Sequence, residues 1–195
     1  MAEKVRRWRG EIDVPLTAAG LGTAYALGAK LSEAGGLSLC FHDWLSRCRN
    51  TAEAVCSETI ESHGPRPWRM GPAFEGHPIT RLSINYAQFL AEHPEATPQG
   101  GEPFGRWYAE WMEWLSGDSL PVEYGAKLGI VTHNRNLQAI YSTVNGHFDA
   151  GLYNCDGPGF CTVHFYKDGK LMPWNEKTLM PGVYLIRHGE TSFGP

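Results

Sequence analysis

Val183-Tyr184-Leu185-Ile186-Arg187-His188-Gly189-Glu190-Thr191 is an apolar strand that runs straight into Arg-His-Gly. Continuous apolar character over a few residues predicts a strand buried on both faces, as in a parallel sheet. Ligands of open α/β sheets bind beyond the carboxyl ends of their strands. A second stretch has the same form: Gly129-Ile130-Val131-Thr132-His133. If the two strands are parallel neighbours, both imidazoles reach one crevice. A single strand-end histidine is more often structural. Two of them, one preceded by Arg and followed by Gly, point to a shared site. Gly189 is expected to turn the chain sharply and bring its amide towards an anion.

Outward from these strands, the chain alternates between helical and strand patterns. Thr17 precedes Leu21, Ala24, Leu27 and Leu31, which predicts an N-capped amphipathic helix ending at Gly35-Gly36. Leu37 to Phe41 reads as a short strand, Ser46 to Ser57 as a helix carrying Arg47, and Ile79 to Glu92 as a further helix. Residues 62–79, rich in Gly, Pro and His, form an irregular excursion. Phe104, Trp107, Trp111 and Trp114 repeat at helical spacing and read as a core-facing stripe. Asn134 is expected to cap a helix whose Leu137, Ile140, Tyr141 and Val144 face the core. Phe160 to Tyr166 alternates as a strand, and Lys167-Asp168-Gly169-Lys170 is a hairpin turn. No repeat or linker divides the chain. The expectation is a single domain over 1–195: an α/β three-layer sandwich around a mainly parallel sheet.

Composition narrows the functional classes. The 195 residues are 42% apolar and 19% charged, with a net charge of −4. The most basic stretch, Lys4 to Arg9, is too local for a nucleic-acid face. No apolar run approaches a membrane span. Five cysteines in an odd count, without a CxxC pair, fit free thiols in the cytoplasm. No spacing suggests a metal site, and no cofactor is expected.

Four further stretches carry a resemblance to a known family. They are Gly10-Glu11-Ile12-Asp13-Val14-Pro15-Leu16-Thr17-Ala18-Ala19-Gly20, Leu45-Ser46-Arg47-Cys48-Arg49-Asn50-Thr51-Ala52, Gly100-Gly101-Glu102 and Val131-Thr132-His133. Together with Arg187-His188-Gly189-Glu190-Thr191 they resemble, in cyclic order, the motifs of the histidine phosphatase superfamily, which includes the phosphoglycerate mutases. In that family the Arg-His-Gly segment opens the chain; here it closes it. The resemblance therefore implies a circularly permuted phosphoglycerate mutase-like fold, in which residues 180–195 stand for the usual first strand and loop.

The resemblance implies a metal-independent phosphatase. His188 is the expected nucleophile, becoming phosphohistidine, with Arg187, Arg47 and His133 as the phosphate clamp. The chemistry suits these residues. A neutral imidazole nitrogen attacks phosphorus in line, and fixed cations hold the spreading negative charge. Arginine's planar fork binds phosphate oxygens two at a time. Arg9, Gly189 and Asn134 are expected substrate contacts, and the partner is a small phosphorylated substrate or inorganic phosphate. The family's general-acid glutamate is replaced by Trp68, so Glu75 becomes the expected proton donor, with His77 and Glu102 behind it. A mutase-type phosphotransferase is the alternative, as is a non-catalytic phospho-ligand or protein-binding module.

Overall fold

The computed structural model describes residues 6–117, 120, 125–141, 143–144, 147–148 and 159–191. Its centre is a six-stranded sheet. In chain order the elements are α1 (Ala18–Glu33), β1 (Leu39–His42), α2 (Ser46–Val55), β2 (Thr59–Glu61), α3 (Arg81–Glu92), α4 (Phe104–Ser116), β3 (Lys127–Thr132), α5 (Asn134–Tyr141), β4 (Thr143–Val144), β5 (His147–Phe148), β6 (Val163–Lys167), β7 (Lys170–Pro173) and β8 (Gly182–Arg187). The sheet order is β2-β1-β3-β8-β6-β7, while β4 and β5 form a separate antiparallel pair. Strands β2, β1, β3 and β8 are parallel; β6 and β7 are antiparallel additions on the far side of β8.

Period-two alternation splits the residues of β8 between two cores. Tyr184 and Ile186 join Ala24, Leu27 and Leu31 of α1 and Cys48, Ala52 and Val55 of α2 on one face. Val183 and Leu185 join Trp111 and Leu115 of α4 and Leu137 and Ile140 of α5 on the other. Helices thus cover both faces, which is why β3 is apolar over residues 128–131 and β8 over residues 183–186. A third cluster, with Trp8, Trp68, Met70, Phe74, Phe104 and Trp107, gives the 62–79 excursion a core of its own.

The strand with the last position in the sequence lies inside the sheet. The register aligns Thr132 with Arg187, so His133 and His188 leave neighbouring strands at one level. The hairpin turn is also as expected: Asp168 (φ 50°) and Gly169 (φ 75°) both occupy the left-handed region, the geometry favoured in two-residue hairpins.

The α5 region differs from expectation. Asn134 is the first helical residue rather than a cap, and its Oδ1 is buried with no hydrogen-bond partner. Tyr141 is 43% exposed, and Val144 belongs to β4 rather than to the helix. The edge strand β2 was not expected. Cys155 and the two chain ends, 1–5 and 192–195, lie outside the described residues; Cys40, Cys48, Cys56 and Cys161 are free and buried.

Candidate active site

Beyond the carboxyl ends of β3 and β8 lies a cavity of about 300 Å³. His188 and His133 both line it, each only 5% exposed, with ring centroids 5.2 Å apart. Arg187 and Arg47 line it too, as do Arg9 and Asn134. The structure thus brings together six residues selected from sequence.

The ring of His188 is oriented by its own chain. Nδ1 lies 2.7 Å from the carbonyl oxygen of Gly189. A carbonyl only accepts, so Nδ1 carries the proton and Nε2 keeps its lone pair. Burial holds His188 well below the ordinary histidine pKa, with His133 and Arg47 adding to the effect. The imidazole is therefore neutral near pH 7, as a nucleophile requires.

Gly189 serves the fold in this structure. Its amide donates to Thr51 Oγ1 at 3.0 Å, so it is committed within the fold and not turned to an anion. Glycine is needed for closeness instead. A β-carbon at Gly189 would meet the Gly20 carbonyl oxygen at 2.8 Å, and one at Gly20 would meet that of Glu190 at 2.2 Å. The first turn of α1 lies directly on the loop after β8. Thr17 fixes the contact by donating its amide to the Glu190 carbonyl (3.0 Å) and capping α1 through Gly20 N (2.8 Å).

Arg47 stands in the first turn of α2 and is fully buried. Its two terminal nitrogens donate to the carbonyls of Ile12 and Gly10, each at 2.7 Å, while Nε has no partner. The 10–20 segment is thereby tied to α2. Arg187 lies over the Phe160 ring, 4.1 Å from its centroid. Burial, with Arg9 and Arg6 nearby, lowers its pKa to about 10. Arg9 donates to the Thr191 carbonyl at 3.1 Å, which joins the first described segment to the last. Burial and then Arg47 and Arg6 lower its pKa as well.

Asp43 was not singled out in the sequence. It is fully buried, and one carboxylate oxygen lies 2.5 Å from His133 Nε2 while the other accepts the Leu45 amide at 3.1 Å. Burial alone would raise its pKa, but His133 and the Leu45 amide outweigh burial and hold it down. Burial lowers His133 against the pull of Asp43. The available signal was positional: Asp43 follows the end of β1, as His133 and His188 follow β3 and β8. Cys48 Sγ lies 3.4 Å from His133 Nε2. Asp43, Cys48 and His133 thus place one potential metal-ligand atom each within 4.8 Å of one another, a grouping that linear spacing did not disclose. These donors fit a transition ion in kind, but the 2.5 Å Asp43–His133 approach is that of a hydrogen bond, not of two ligands around an ion.

Glu75 lies beside the cavity rather than in its lining. It is absent from the cavity lining, and its carboxylate packs against Gly10, where a β-carbon would sit 2.2 Å from Oε1. Glu102 is engaged elsewhere, pairing with Arg66 at 2.5 and 2.8 Å. His77 does not line the cavity either. Trp68, only 2% exposed, does. Among the described residues the lining contains no carboxylate.

With this geometry in view, the class is fixed by comparison. The family model of the histidine phosphatase superfamily (branch 1) matches residues 2–176, and the chain belongs to that superfamily. The fold is similar to that of a mycobacterial glucosyl-3-phosphoglycerate phosphatase solved with inorganic phosphate, at 18% identity and a TM-score of 0.62, over 89% of this chain and 93% of that one. The same enzyme with VO3 gives 19% identity and a TM-score of 0.62, over 87% and 90%. The protein TTHB049 of Thermus thermophilus is 27% identical with a TM-score of 0.55, over 69% of this chain and 70% of that one. No curated protein matches the chain. Among the described residues no helix is long and apolar enough to cross a membrane.

Proposed function

We propose that the protein is a metal-independent phosphatase that hydrolyses small phosphomonoesters through phosphohistidine at His188. The observation that carries this is the fixed tautomer of His188: Nδ1 is bound to the Gly189 carbonyl, so the lone pair of Nε2 serves the cavity. Nε2 attacks phosphorus and the ester oxygen leaves with its electron pair, taking a proton from solvent water to become the alcohol. Water then cleaves the N–P bond, releasing inorganic phosphate and restoring neutral imidazole. Arg47, Arg187 and His133 hold the equatorial oxygens during both steps, with Arg9 and Asn134 at the edge of the same group. Phosphate and VO3 in the mycobacterial phosphatase agree with an oxyanion site on this fold.

The circular permutation belongs to this proposal. The family match ends at residue 176, whereas β8 and its Arg-His-Gly loop fill the middle of the sheet and bind to the 9–20 segment. Reading 180–191 before residue 6 gives the motif order of the family. Free, buried cysteines support a reducing cytoplasmic setting.

The test is turnover of p-nitrophenyl phosphate with and without EDTA, followed by rapid acid-free quench. Wild type should turn over with EDTA present and trap phosphate on His188. His188→Ala should abolish turnover, and Arg47→Ala or His133→Ala should each lower kcat by about 10²–10³. Near-full activity of His188→Ala would sink the assignment.

A further inference from the structure

Phe160 does not line the cavity, yet its ring covers two residues that do. The Arg187 guanidinium lies over the ring, 4.1 Å from its centroid. The His188 ring is tilted at 45° to it, with centroids 5.9 Å apart. An irregularity in the β6–β8 ladder aims Phe160 at this spot. Val163 pairs with Ile186 in regular register. One step further, Cys161 donates its amide to the Arg187 carbonyl at 3.0 Å, while the Arg187 amide donates to the Thr162 carbonyl at 3.1 Å. Two residues, Cys161 and Thr162, thus face one, Arg187, which is the pattern of a β-bulge. Cys161 has φ at 54°, in the left-handed region, where the first residue of such a bulge is usually glycine. Thr162 closes the turn, donating Oγ1 to the Gly159 carbonyl at 2.8 Å. A left-handed residue other than glycine persists only where its surroundings hold it, and such residues cluster at working sites. Here the bulge folds Phe160 onto the side chain of the same arginine whose backbone anchors it.

A guanidinium has two flat faces and a rim of N–H donors. An aromatic ring on one face attracts the cation without engaging any of those donors. It also keeps water from that face and fixes the plane of the fork. Burial works against the Arg187 cation, and the ring offsets part of that cost. The contact with His188 holds the ring in its turn. A leucine at this position fills similar space but offers no such face.

Resting on the phosphatase reading above, we infer that Phe160 is a positioning residue, its ring holding the Arg187 fork in the plane that meets the oxygens of the transferring phosphoryl group. It acts through Arg187 and touches no substrate. A fork fixed before the ligand arrives loses less freedom on binding, so the effect extends to oxyanion affinity as well as to rate.

Vanadate calorimetry reads this arrangement without turnover, and p-nitrophenyl phosphate kinetics read it in catalysis. Phe160→Leu should weaken vanadate binding and lower kcat/KM by about tenfold each, the size of one partly desolvated cation–π contact. Phe160→Tyr, which keeps the ring face, should stay within about twofold of wild type on both. In an Arg187→Ala background, Phe160→Leu should have little further effect on vanadate, a coupling that a residue serving only the fold would not show. A further readout needs no variant: the Arg187 Nε proton of wild type should be shifted upfield in the NMR spectrum by the Phe160 ring current. Undiminished vanadate binding in Phe160→Leu, an equal loss in Phe160→Tyr, losses that simply add to that of Arg187→Ala, or an Arg187 resonance without the ring shift overturns the inference. A protein that shows the coupling on vanadate but hydrolyses no ester overturns the phosphatase reading instead.

Discussion

Keeping the His188 imidazole neutral inside the protein makes the fold sensitive to acid. Burial lowers its proton affinity in the folded chain, whereas the unfolded chain offers a histidine with a pKa of about 6.5. Below that value the unfolded state binds more protons, so stability falls as pH drops and is regained above it. The Tm of wild type should therefore fall more steeply between pH 7 and 5 than that of His188→Asn; parallel curves would refute this. His133 behaves differently on ligation. In the empty site it is held down by burial despite Asp43, and an oxyanion beside it favours the imidazolium. Vanadate binding should take up a proton and weaken as pH rises, and Asp43→Asn should reduce both effects. NMR of the His133 ring with and without vanadate measures the shift directly, and an unchanged titration would remove His133 from the clamp. Glu75 is not among the cavity-lining residues but packs on Gly10, which is, and the lining itself holds no carboxylate among the described residues. A positioned acid contributes about 10²–10⁴-fold when the leaving oxygen is basic. Wild type should accordingly prefer aryl to alkyl phosphates strongly, and Glu75→Gln should leave that ratio unchanged. A selective loss on alkyl phosphates would restore Glu75 to the role.

The elements that carry the site are braced from outside themselves. Helix α2 has Leu45 at its N-cap, which offers no capping side chain. Asp13 takes that part instead, with Oδ1 accepting the Ser46 amide at 2.9 Å and the Ser46 hydroxyl at 2.7 Å. A lost cap typically costs about 1 kcal/mol, and here it also loosens the turn that aims Arg47. Asp13→Ala should lower Tm and kcat/KM together, and Asp13→Asn, which still accepts, should restore most of both. Loss of stability without loss of activity would show that the cap does not position Arg47. What was legible in the sequence follows the same division between local and distant causes. The amphipathic α1, the hairpin between β6 and β7, and the strand ends bearing His133 and His188 were readable because their signals are contiguous. Arg47 was readable through its motif. Strand β2 is three residues on an edge and presents no buried alternation. Asp43 acquires its meaning only when β1 lies beside β3 and brings its carboxylate to His133. The neighbours of Glu75 and Gly189, Gly10 and the hydroxyl of Thr51, come from distant parts of the chain and could not be read locally.

At the scale of the whole molecule, the permutation proposed above turns on the contacts between the 9–20 segment and the loop after β8. Leu16 forms a β-bridge with Thr191, Thr17 binds Glu190, and Arg9 binds the Thr191 carbonyl. On the proposed permutation, these non-covalent ties stand where a peptide connection runs in a chain that starts with the Arg-His-Gly strand. In this order β8 must find its slot between β3 and β6 after every other strand of the sheet has been made. Such non-local pairing slows folding more than it alters final stability, because the entropy of loop closure grows only weakly with length. A reordered chain, with 177–195 joined ahead of residue 2 and new ends at 176 and 177, should therefore keep the same sheet. Equilibrium stability should change by about 1–2 kcal/mol at most, whereas refolding from denaturant should be faster because β8 then forms early. The contacts of His188 with Gly189 and His133, and of the Gly189 amide with Thr51, are unaffected by the reordering, so kcat on p-nitrophenyl phosphate should stay within about threefold of this chain. Chevron kinetics and steady-state turnover on the two chains test both statements. An inactive but folded reordered chain would show that the present chain order is itself part of the working site, and would overturn the reading of this protein as a simple permutation of its family.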